Sequence, residues 1–442
     1  MPESHRLPSV PPTEEPTAPD GTTVRGAPRA IYASITAVPT ADLHLVVVGI
    51  GADGWDGLTA ATRAVLLSAE VVLGGPRQLA LLPVADGQAR QPWPSPLRTA
   101  LPDVLRQCAG RRVVALASGD PMLSGIGSMV LEILGADRVT IIPHVSSVTL
   151  ARSRLGWSAE STAVVSVVGR DVHAVLRELA PERRVLVLSS DEKTPAVVAT
   201  LLTARGYGPS RFVVLGDLGS GHETMVETTA EQFSGDAPRL NIVALQLTGP
   251  LLAGWATGLP DDAFEHDGQL TKRDLRAAAL ARLLPAPGQL LWDVGAGAGS
   301  VGIEWMRSHP TCRAIAVEAD ADRAERIGRN ARTLGVPALQ VIQGTAPDAL
   351  SELTIPDAVF IGGGATRHGV LQRCLDALRG GGRIVVHGVT VETEALLAAA
   401  YGEHGGELTR THIEHAAPVG SFTGWTPARA VTQWAFTKSP DG

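Results

Sequence analysis

Residues 290–300 read Leu-Leu-Trp-Asp-Val-Gly-Ala-Gly-Ala-Gly-Ser, which is an apolar run followed by a glycine-rich turn. Residues 301–308 then have the apolar spacing of a helix, so the stretch predicts a strand, a tight turn and a helix in that order. Glycine suits such a turn because the backbone bends sharply and must let a ligand approach without a Cβ in the way. We therefore expect a nucleotide-binding α/β unit, with a purely structural turn as the alternative.

The residues around the glycines favour S-adenosylmethionine over a dinucleotide. A dinucleotide site uses Gly-x-Gly-x-x-Gly to hold a pyrophosphate, whereas this turn reads Asp-x-Gly-x-Gly-x-Gly from Asp293. A carboxylate ahead of the glycines disfavours an anion and suits a sulfonium. The next apolar run ends at Glu318, where a carboxylate can accept hydrogen bonds from ribose hydroxyls. The predicted contacts in this region are Asp293, Gly295, Gly297, Gly299 and Glu318.

Composition disfavours several classes of protein. The chain has 442 residues, a net charge of −7 and only 4% aromatic residues, so binding to a phosphate backbone or to stacked bases is not expected. The three cysteines, Cys108, Cys312 and Cys374, have no metal-ligand spacing and suit a reducing cytoplasm. No metal site is predicted. No apolar run is long enough to span a bilayer, so no membrane partner is expected. The net charge and the few aromatic residues likewise predict no nucleic-acid partner.

The chain divides into four predicted segments. Residues 1–41 are rich in Pro, Thr, Ala and Glu and lack the apolar core of a signal peptide, which predicts a disordered tail. Residues 42–248 alternate apolar strands with helices, as in an α/β domain. Residues 249–269 are rich in Gly, Pro and Asp and predict a linker. Residues 270–442 alternate strands and helices again, in the order of a doubly wound sheet.

Four short motifs in the first half resemble the tetrapyrrole methylase family. They are Gly49-Ile-Gly51, Ser118-Gly-Asp-Pro121, Ser146-Ser147 and Val168-Gly-Arg170, in that order. The resemblance implies two α/β lobes with S-adenosylmethionine in the cleft between them. The implied cofactor contacts are Gly51, Gly119, Asp120, Leu123, Ser146 and Ser147.

Two departures from that family accompany the resemblance. Residues 51–53 read Gly-Ala-Asp where Gly-Pro-Gly is common, and His144 replaces a small residue. Taken on its own, the Ser-Gly-Asp-Pro turn has two interpretations. It offers a carboxylate and free backbone groups to a polar ligand, but Asp and Ser also cap loops without any ligand.

The second half resembles the decarboxylating precorrin methyltransferase domain of cobalamin biosynthesis. The resemblance rests on residues 271–276 (TKRDLR), 292–305 (WDVGAGAGSVGIEW), 343–350 (QGTAPDAL), 359–364 (VFIGGG) and 386–397 (VHGVTVETEALL). It implies a Rossmann-like, seven-stranded methyltransferase fold with a second S-adenosylmethionine, and hence one cofactor per domain. The turn expected to contact adenine comprises Gly344, Thr345 and Ala346.

Together the two halves resemble fused precorrin methyltransferases, which implies a tetrapyrrole substrate, precorrin-6Y. The implied reactions are methylation of C5 by the first domain, and methylation of C15 with loss of carbon dioxide from the ring C acetate by the second. The family also leads us to expect a homo-oligomer built through the second domain. Two alternatives stay open at this point. One is a fused methyltransferase acting on another tetrapyrrole or small acid without decarboxylation, and the other is a non-catalytic S-adenosylmethionine-binding regulator.

The chemistry needs few catalytic side chains. Methyl transfer from a sulfonium to an electron-rich carbon depends chiefly on alignment of the two groups. Decarboxylation can draw on a protein acid, and His387 and Glu304 are the candidate catalytic residues, with a structural role as the alternative for each. An acidic protein must concentrate cations where it binds a polycarboxylate. The candidates are Thr271, Lys272, Arg273, Arg276 and Arg367, and a solvated helix face is the alternative for those at the start of the helix.

Overall fold

The structure is a computed structural model that describes residues 43–252 and 254–440. The predicted disordered tail, residues 1–41, lies outside this range. No helix within it is both long and apolar enough to cross a membrane. The strands of the described residues form two five-stranded sheets, one seven-stranded sheet and one separate two-stranded sheet.

The first sheet is parallel throughout. Its elements are β1 (Leu45–Ile50), α1 (Ala60–Ser68), β2 (Val71–Gly74), α2 (Pro76–Ala80), β3 (Ala89–Pro92), α3 (Leu97–Gln107), β4 (Val113–Ser118), α4 (Gly127–Leu134) and β5 (Val139–Ile142). The strand order is β3-β2-β4-β1-β5. The central strands β1 and β4 read as nearly continuous apolar runs because helices cover both faces of the sheet.

The second sheet is mixed. Its elements are α5 (Ser147–Leu155), β6 (Thr162–Ser166), β7 (Arg184–Leu188), α6 (Thr194–Thr203), β8 (Arg211–Gly216), β9 (Thr224–Thr229) and β10 (Asn241–Gln246). The order is β6-β7-β10-β8-β9, and only β6 and β7 are parallel neighbours. Helix α5 begins directly after the loop that follows β5, so this loop connects the first sheet to the second.

The seven-stranded sheet carries the glycine-rich turn. Its elements are α7 (Arg273–Leu283), β11 (Leu290–Val294), α8 (Ser300–Ser308), β12 (Arg313–Glu318), α9 (Ala321–Thr333), β13 (Gln340–Gln343), β14 (Ala358–Ile361), α10 (Val370–Ala377), β15 (Arg383–Gly388), α11 (Val391–His404), β16 (Glu407–Thr411), β17 (Glu414–Val419), β18 (Phe422–Pro427) and β19 (Val431–Thr437). The order is β13-β12-β11-β14-β15-β19-β16, with β17 and β18 paired separately.

Three details of the second half bear on its site. Strands β16 and β19 are antiparallel neighbours, and the β17–β18 hairpin is inserted between them along the chain. Lys272 occupies the N-cap position of α7 without a side-chain capping hydrogen bond, and the Thr271 carbonyl accepts a hydrogen bond from Arg276. Leu259 and Phe264, which lie within the predicted linker, are buried in the core that includes α7 and α8, and the bounds of the linker stay a prediction.

Candidate cofactor and substrate sites

The carboxyl ends of β1, β4 and β5 meet with their backbones in direct contact. The Gly119 N–H donates a hydrogen bond to the Ile50 carbonyl (3.0 Å), and the His144 N–H donates one to the Gly119 carbonyl (3.3 Å). A Cβ on Gly49 would lie only 2.0 Å from the Gly119 oxygen. Glycine is therefore needed at position 49, where the loops after these three strands come together.

The six residues predicted to bind cofactor in this half lie on these loops. Ser146 caps α5 by accepting the Thr149 N–H (3.1 Å), and Asp120 accepts the Met122 N–H (2.8 Å). In the same turn, the Leu123 N–H donates a hydrogen bond to the Asp120 carbonyl. Gly51 follows β1, Gly119 follows β4, and Ser147 is the first residue of α5. The loops thus present backbone, hydroxyl and carboxylate groups at one edge of the sheet, and the role of each residue stays a prediction.

Asp53 and His144, which depart from the tetrapyrrole methylase pattern, lie next to each other. His144 Nε2 lies 3.6 Å from a carboxylate oxygen of Asp53 and 3.3 Å from the Gly57 carbonyl. The imidazole also packs against Gly51, where a Cβ would come within 2.9 Å of it. A side chain at 144 thus fills the space beside the glycine loop, and Asp53 is its partner.

In the other half, the glycine-rich turn has a backbone that side chains would obstruct. Gly295, Gly297 and Gly299 all have positive φ angles, of +67°, +59° and +75°. A Cβ on Gly295 would lie 2.6 Å from the Gly363 carbonyl after β14, and one on Gly297 would lie 2.7 Å from the Gln269 carbonyl. The turn is therefore packed between two neighbouring backbones and depends on glycine for that packing.

Two carboxylates lie at this turn. Glu318 Oε2 accepts the Gly297 N–H (2.8 Å), and Asp293 Oδ2 accepts the Gly302 N–H (2.8 Å). The other oxygen of Asp293 is buried without a hydrogen-bond partner among the described residues. Burial raises the pKa of Asp293 to about 7, the Gly302 N–H opposes this rise, and the charge of Glu318 adds to it. An acidic turn with an orphaned oxygen fits a cationic, donor-bearing ligand such as S-adenosylmethionine and does not fit a pyrophosphate.

The predicted adenine turn is adjacent to Glu318. The Gly344 N–H donates to the Glu318 carbonyl (2.9 Å), because β13 and β12 are parallel neighbours that end at the same edge. Thr345 and Ala346 follow directly. The structure therefore brings the glycine turn, Glu318 and residues 344–346 together along the carboxyl ends of β11, β12 and β13.

A cavity of about 700 Å³ opens beside the glycine turn. Its lining includes Gly295–Gly297 on one side and the predicted residues Thr271, Lys272 and Arg273 on another. His387 contributes from the end of β15. Residues that the sequence did not single out lie at the base of the β17–β18 hairpin: Thr411, Ile413, His415, Ala428 and Arg429.

His387 is buried at the edge of this cavity. Its Nε2 is 2.9 Å from Gln433 Oε1, and its ring meets the Phe360 ring edge-on with centroids 5.0 Å apart. Burial lowers the pKa of His387 to about 4, although the Gln433 hydrogen bond acts in the opposite direction. The imidazole is therefore neutral near pH 7. Burial thus disfavours the cationic form that a protein acid would need, and the role of His387 as a candidate catalytic residue stays a prediction.

Arg276 and Glu304 form a buried ion pair instead of contacting substrate. Arg276 is 0% exposed and Glu304 3% exposed, and the guanidinium Nε lies 2.5 Å from Glu304 Oε1. Neither lines the cavity. The predictions of Arg276 as a substrate ligand and Glu304 as a catalytic group are therefore wrong, because each side chain is already satisfied inside the protein.

The remaining predicted cations differ in their availability. Lys272 Nζ is 3.5 Å from Asp261, so its charge is partly balanced at the cavity wall. Within the described residues, neither Arg273 nor Arg429 has an ion-pair partner, and both line the cavity. Arg367 is exposed on the loop after β14 and is not part of the cavity wall. Arg273 and Arg429 are thus the arginines in this wall that are available to an anionic ligand.

Comparison with known proteins gives a match for each half. Residues 44–234 match the family of tetrapyrrole (corrin/porphyrin) methylases, and residues 262–438 match the precorrin methyltransferase domain. A probable cobalt-precorrin-6B C(15)-methyltransferase (decarboxylating) of Pyrobaculum calidifontis is 32% identical over 40% of this chain and 96% of its own length. A cobalt-precorrin-7 C(5)-methyltransferase of Salmonella typhimurium is 32% identical over 39% of this chain and 84% of its own length.

Other relatives span both halves. The precorrin-6Y C(5,15)-methyltransferase [decarboxylating] of Mycobacterium tuberculosis is 45% identical over 398 residues, which cover 89% of this chain and all of the relative. The alignment therefore includes both glycine-rich sites and the segment that connects the two halves. On this identity and coverage, the chain belongs to the family of decarboxylating precorrin-6Y C(5,15)-methyltransferases.

Proposed function

We propose that this chain transfers methyl groups from S-adenosylmethionine to C5 and C15 of precorrin-6Y and removes carbon dioxide from the ring C acetate, giving precorrin-8X. The observation that carries the proposal is the 45% identity over the full length of a relative named for both methylations and the decarboxylation. The two separate glycine-lined sites support it, because two methylations at different carbons suit two sites.

We assign C5 methylation to residues 42–248 and C15 methylation with decarboxylation to residues 270–442. Support comes from the two shorter relatives, each named for one of these reactions and each matching about two fifths of the chain (40% and 39%). In this proposal each domain binds one S-adenosylmethionine, which when bound supplies the methyl group as an electrophile. The loops after β1, β4 and β5 hold it in the first domain, and the turn at 295–299, Glu318 and residues 344–346 hold it in the second.

The substrate is a polycarboxylate, and the cations of the second cavity are proposed to hold it. Arg273 and Arg429 line the same cavity, and neither has an ion-pair partner among the described residues. Each guanidinium can bind a carboxylate through two parallel hydrogen bonds. Lys272 assists from beside Asp261. His387 and the glycine turn also line the cavity, so a macrocycle bound there lies against the proposed cofactor site.

Two further proposals concern assembly and location. We infer a homo-oligomer formed through the second domain, because the β17–β18 hairpin exposes Val419, Phe422 and Trp425 by 59%, 80% and 72%. We also infer a cytoplasmic location, which the free thiols of Cys108, Cys312 and Cys374 support.

Product mass tests the proposed function directly. The full chain is incubated with precorrin-6Y and S-adenosylmethionine, and the product is weighed by mass spectrometry. Gain of two methyl groups with loss of one carbon dioxide is expected. Methylation without decarboxylation would instead favour a methyltransferase of narrower activity. Failure to form S-adenosylhomocysteine with any tetrapyrrole would favour a binding protein.

A further inference from the structure

Residues 258–272, which we call the strap, form one side of the cavity in the second domain. Pro260, Asp261 and residues 268–272 line the cavity directly. The Gln269 carbonyl lies against the glycine turn, where a Cβ on Gly297 would approach it to 2.7 Å. The strap therefore contacts both the space for the substrate and the turn proposed to hold the cofactor.

The Arg276–Glu304 ion pair holds both ends of the strap. Glu304 accepts the N–H groups of Gly258 (2.6 Å) and Leu259 (2.9 Å) at its beginning. Arg276 donates to the carbonyl of Leu259 and, at the other end, to the carbonyl of Thr271. One buried pair thus fixes backbone groups that are more than ten residues apart along the chain.

A second anchor holds the middle of the strap. Asn330 on α9 accepts the Glu265 N–H (2.8 Å) and donates to the Glu265 carbonyl (2.9 Å). The same amide donates to the Ala298 carbonyl (3.0 Å), so it joins the strap to the glycine turn. On the surface, Arg329 pairs with Glu265 (2.7 Å) and Arg323 with Asp267 (2.8 Å).

We propose that Arg276, Glu304 and Asn330 are positioning residues that hold the strap against the glycine turn and so shape the cofactor and substrate site. A buried ion pair contributes little net stability compared with apolar residues of similar volume. The significance of this pair therefore lies in where its hydrogen bonds hold the backbone. The effects on the reaction and on cofactor binding rest on the proposed function, but the position of the strap and its exchange behaviour do not.

The test replaces the pair by apolar residues in the full chain, as Arg276→Met/Glu304→Leu. This substitution retains volume and leaves the backbone groups of the strap without partners. The matched control is Arg282→Gln/Glu407→Gln, which removes a half-exposed ion pair (2.6 Å) between α7 and β16 that does not contact the strap. Arg276→Lys is a second variant that retains the charge opposite Glu304 but loses the geometry needed to reach Leu259 and Thr271.

Three measurements give the outcome. Hydrogen exchange of residues 258–272 is expected to be about tenfold faster or more in the double variant and in Arg276→Lys, and unchanged in the control. S-adenosylmethionine titration by calorimetry is expected to show one of two sites weakened. With tetrapyrrole substrate, KM for the C15 reaction is expected to rise about tenfold or more while kcat changes less, because a misplaced wall lowers binding and alignment. C5 methylation is the internal reference.

Two results overturn the proposal. One is a folded double variant whose strap amides and cofactor affinities match those of the wild type within twofold. The other applies if the double variant does not fold. It is an Arg276→Lys variant whose strap amides and cofactor affinities match those of the wild type within twofold. Absence of a decarboxylated product from the wild type would instead refute the proposed function. The exchange and titration data would still decide the role of the strap.

Discussion

The side chain of Glu318 accepts a hydrogen bond from the backbone N–H of Gly297, with 2.8 Å between oxygen and nitrogen. The carboxylate at the end of β12 therefore holds the glycine turn that follows β11, its parallel neighbour. The same carboxylate is the proposed acceptor for ribose hydroxyls. The proposed cofactor contact and the shape of the turn thus involve the same side chain.

Glu318→Ala is expected to weaken one of the two S-adenosylmethionine sites by about 10- to 100-fold, since charge-assisted hydrogen bonds are lost at a buried position. Calorimetric titration of the full chain measures both sites at once. The control is Glu352→Ala, which changes an exposed carboxylate in the same half. Two unchanged affinities in Glu318→Ala would contradict the assignment.

Gly49→Ala is expected to abolish the other site. The new Cβ would lie 2.0 Å from the Gly119 carbonyl, so the loops after β1 and β4 must separate. We expect the stoichiometry of S-adenosylmethionine to fall from two to one and C5 methylation to be lost. Gly221→Ala, at a position with open space for a Cβ, is the matched control. Retention of two sites in Gly49→Ala would show that the cofactor does not bind here.

Asp293→Asn is expected to change how stability depends on pH. Burial raises the pKa of Asp293 to about 7, against about 4 in an unfolded chain, so the folded state favours the protonated carboxyl. The wild type should therefore lose stability as pH rises from about 4 to 7, by at most about 1.4 kcal/mol per pH unit. The variant lacks this loss, so its Tm relative to the wild type should increase from pH 5 to pH 8. Asp322→Asn is the exposed control, and parallel curves for all three proteins would contradict the prediction.

The imidazole of His387 is expected to stay neutral at pH 7 in the folded protein. Its pKa is lowered to about 4 by burial, and an unfolded histidine titrates near 6.5. This side chain should therefore reduce stability as pH falls from about 6.5 to 4. NMR titration of the imidazole, assigned with the His387→Gln variant, measures the midpoint directly. A midpoint above pH 6 would contradict this expectation and support a cationic acid role for His387.

Phe422→Ser/Trp425→Ser is expected to dissociate the oligomer, because it removes the two most exposed aromatic side chains of the hairpin. Sedimentation velocity of the wild type and the variant gives the masses. Leu67→Ser/Ile355→Ser removes two apolar side chains elsewhere, 58% and 57% exposed, and should not change the mass. A monomeric wild type would refute the oligomer.

Buried strands leave a clear pattern in the sequence. Strands β2, β7 and β14 are each a short apolar run covered on both faces, which is the pattern that predicts a buried strand. Strands β3 and β9 were not predicted. They form edges of their sheets, carry polar residues, and depend for their existence on a neighbour rather than on their own pattern. The β17–β18 hairpin was missed for the same reason.

The placement of the candidate site residues could be predicted where they lie at the ends of neighbouring strands, and not where it depends on distant parts of the chain. The glycine turn, Glu318 and residues 344–346 follow strand ends directly, so chain order alone brings them together. From the sequence, Arg276 was expected to bind substrate, because its ion-pair partner Glu304 lies 28 residues away on another helix and no local pattern reveals the pairing. His415 lies in β17 and Arg429 precedes β19, and neither is part of a sequence motif. Only the folding of the hairpin brings them to the cavity.

The position of β19 has a consequence for biosynthesis. This strand pairs with β15 on one side and β16 on the other, although β16 is made before it. While the ribosome synthesises the chain, β16 has no place in the sheet until Val431–Thr437 has emerged, and the edge of β15 stays open. Unpaired strand edges of this kind promote association between nascent chains. We therefore expect the yield of folded protein to depend on how soon β19, which joins the rest of the sheet to β16, becomes available for pairing.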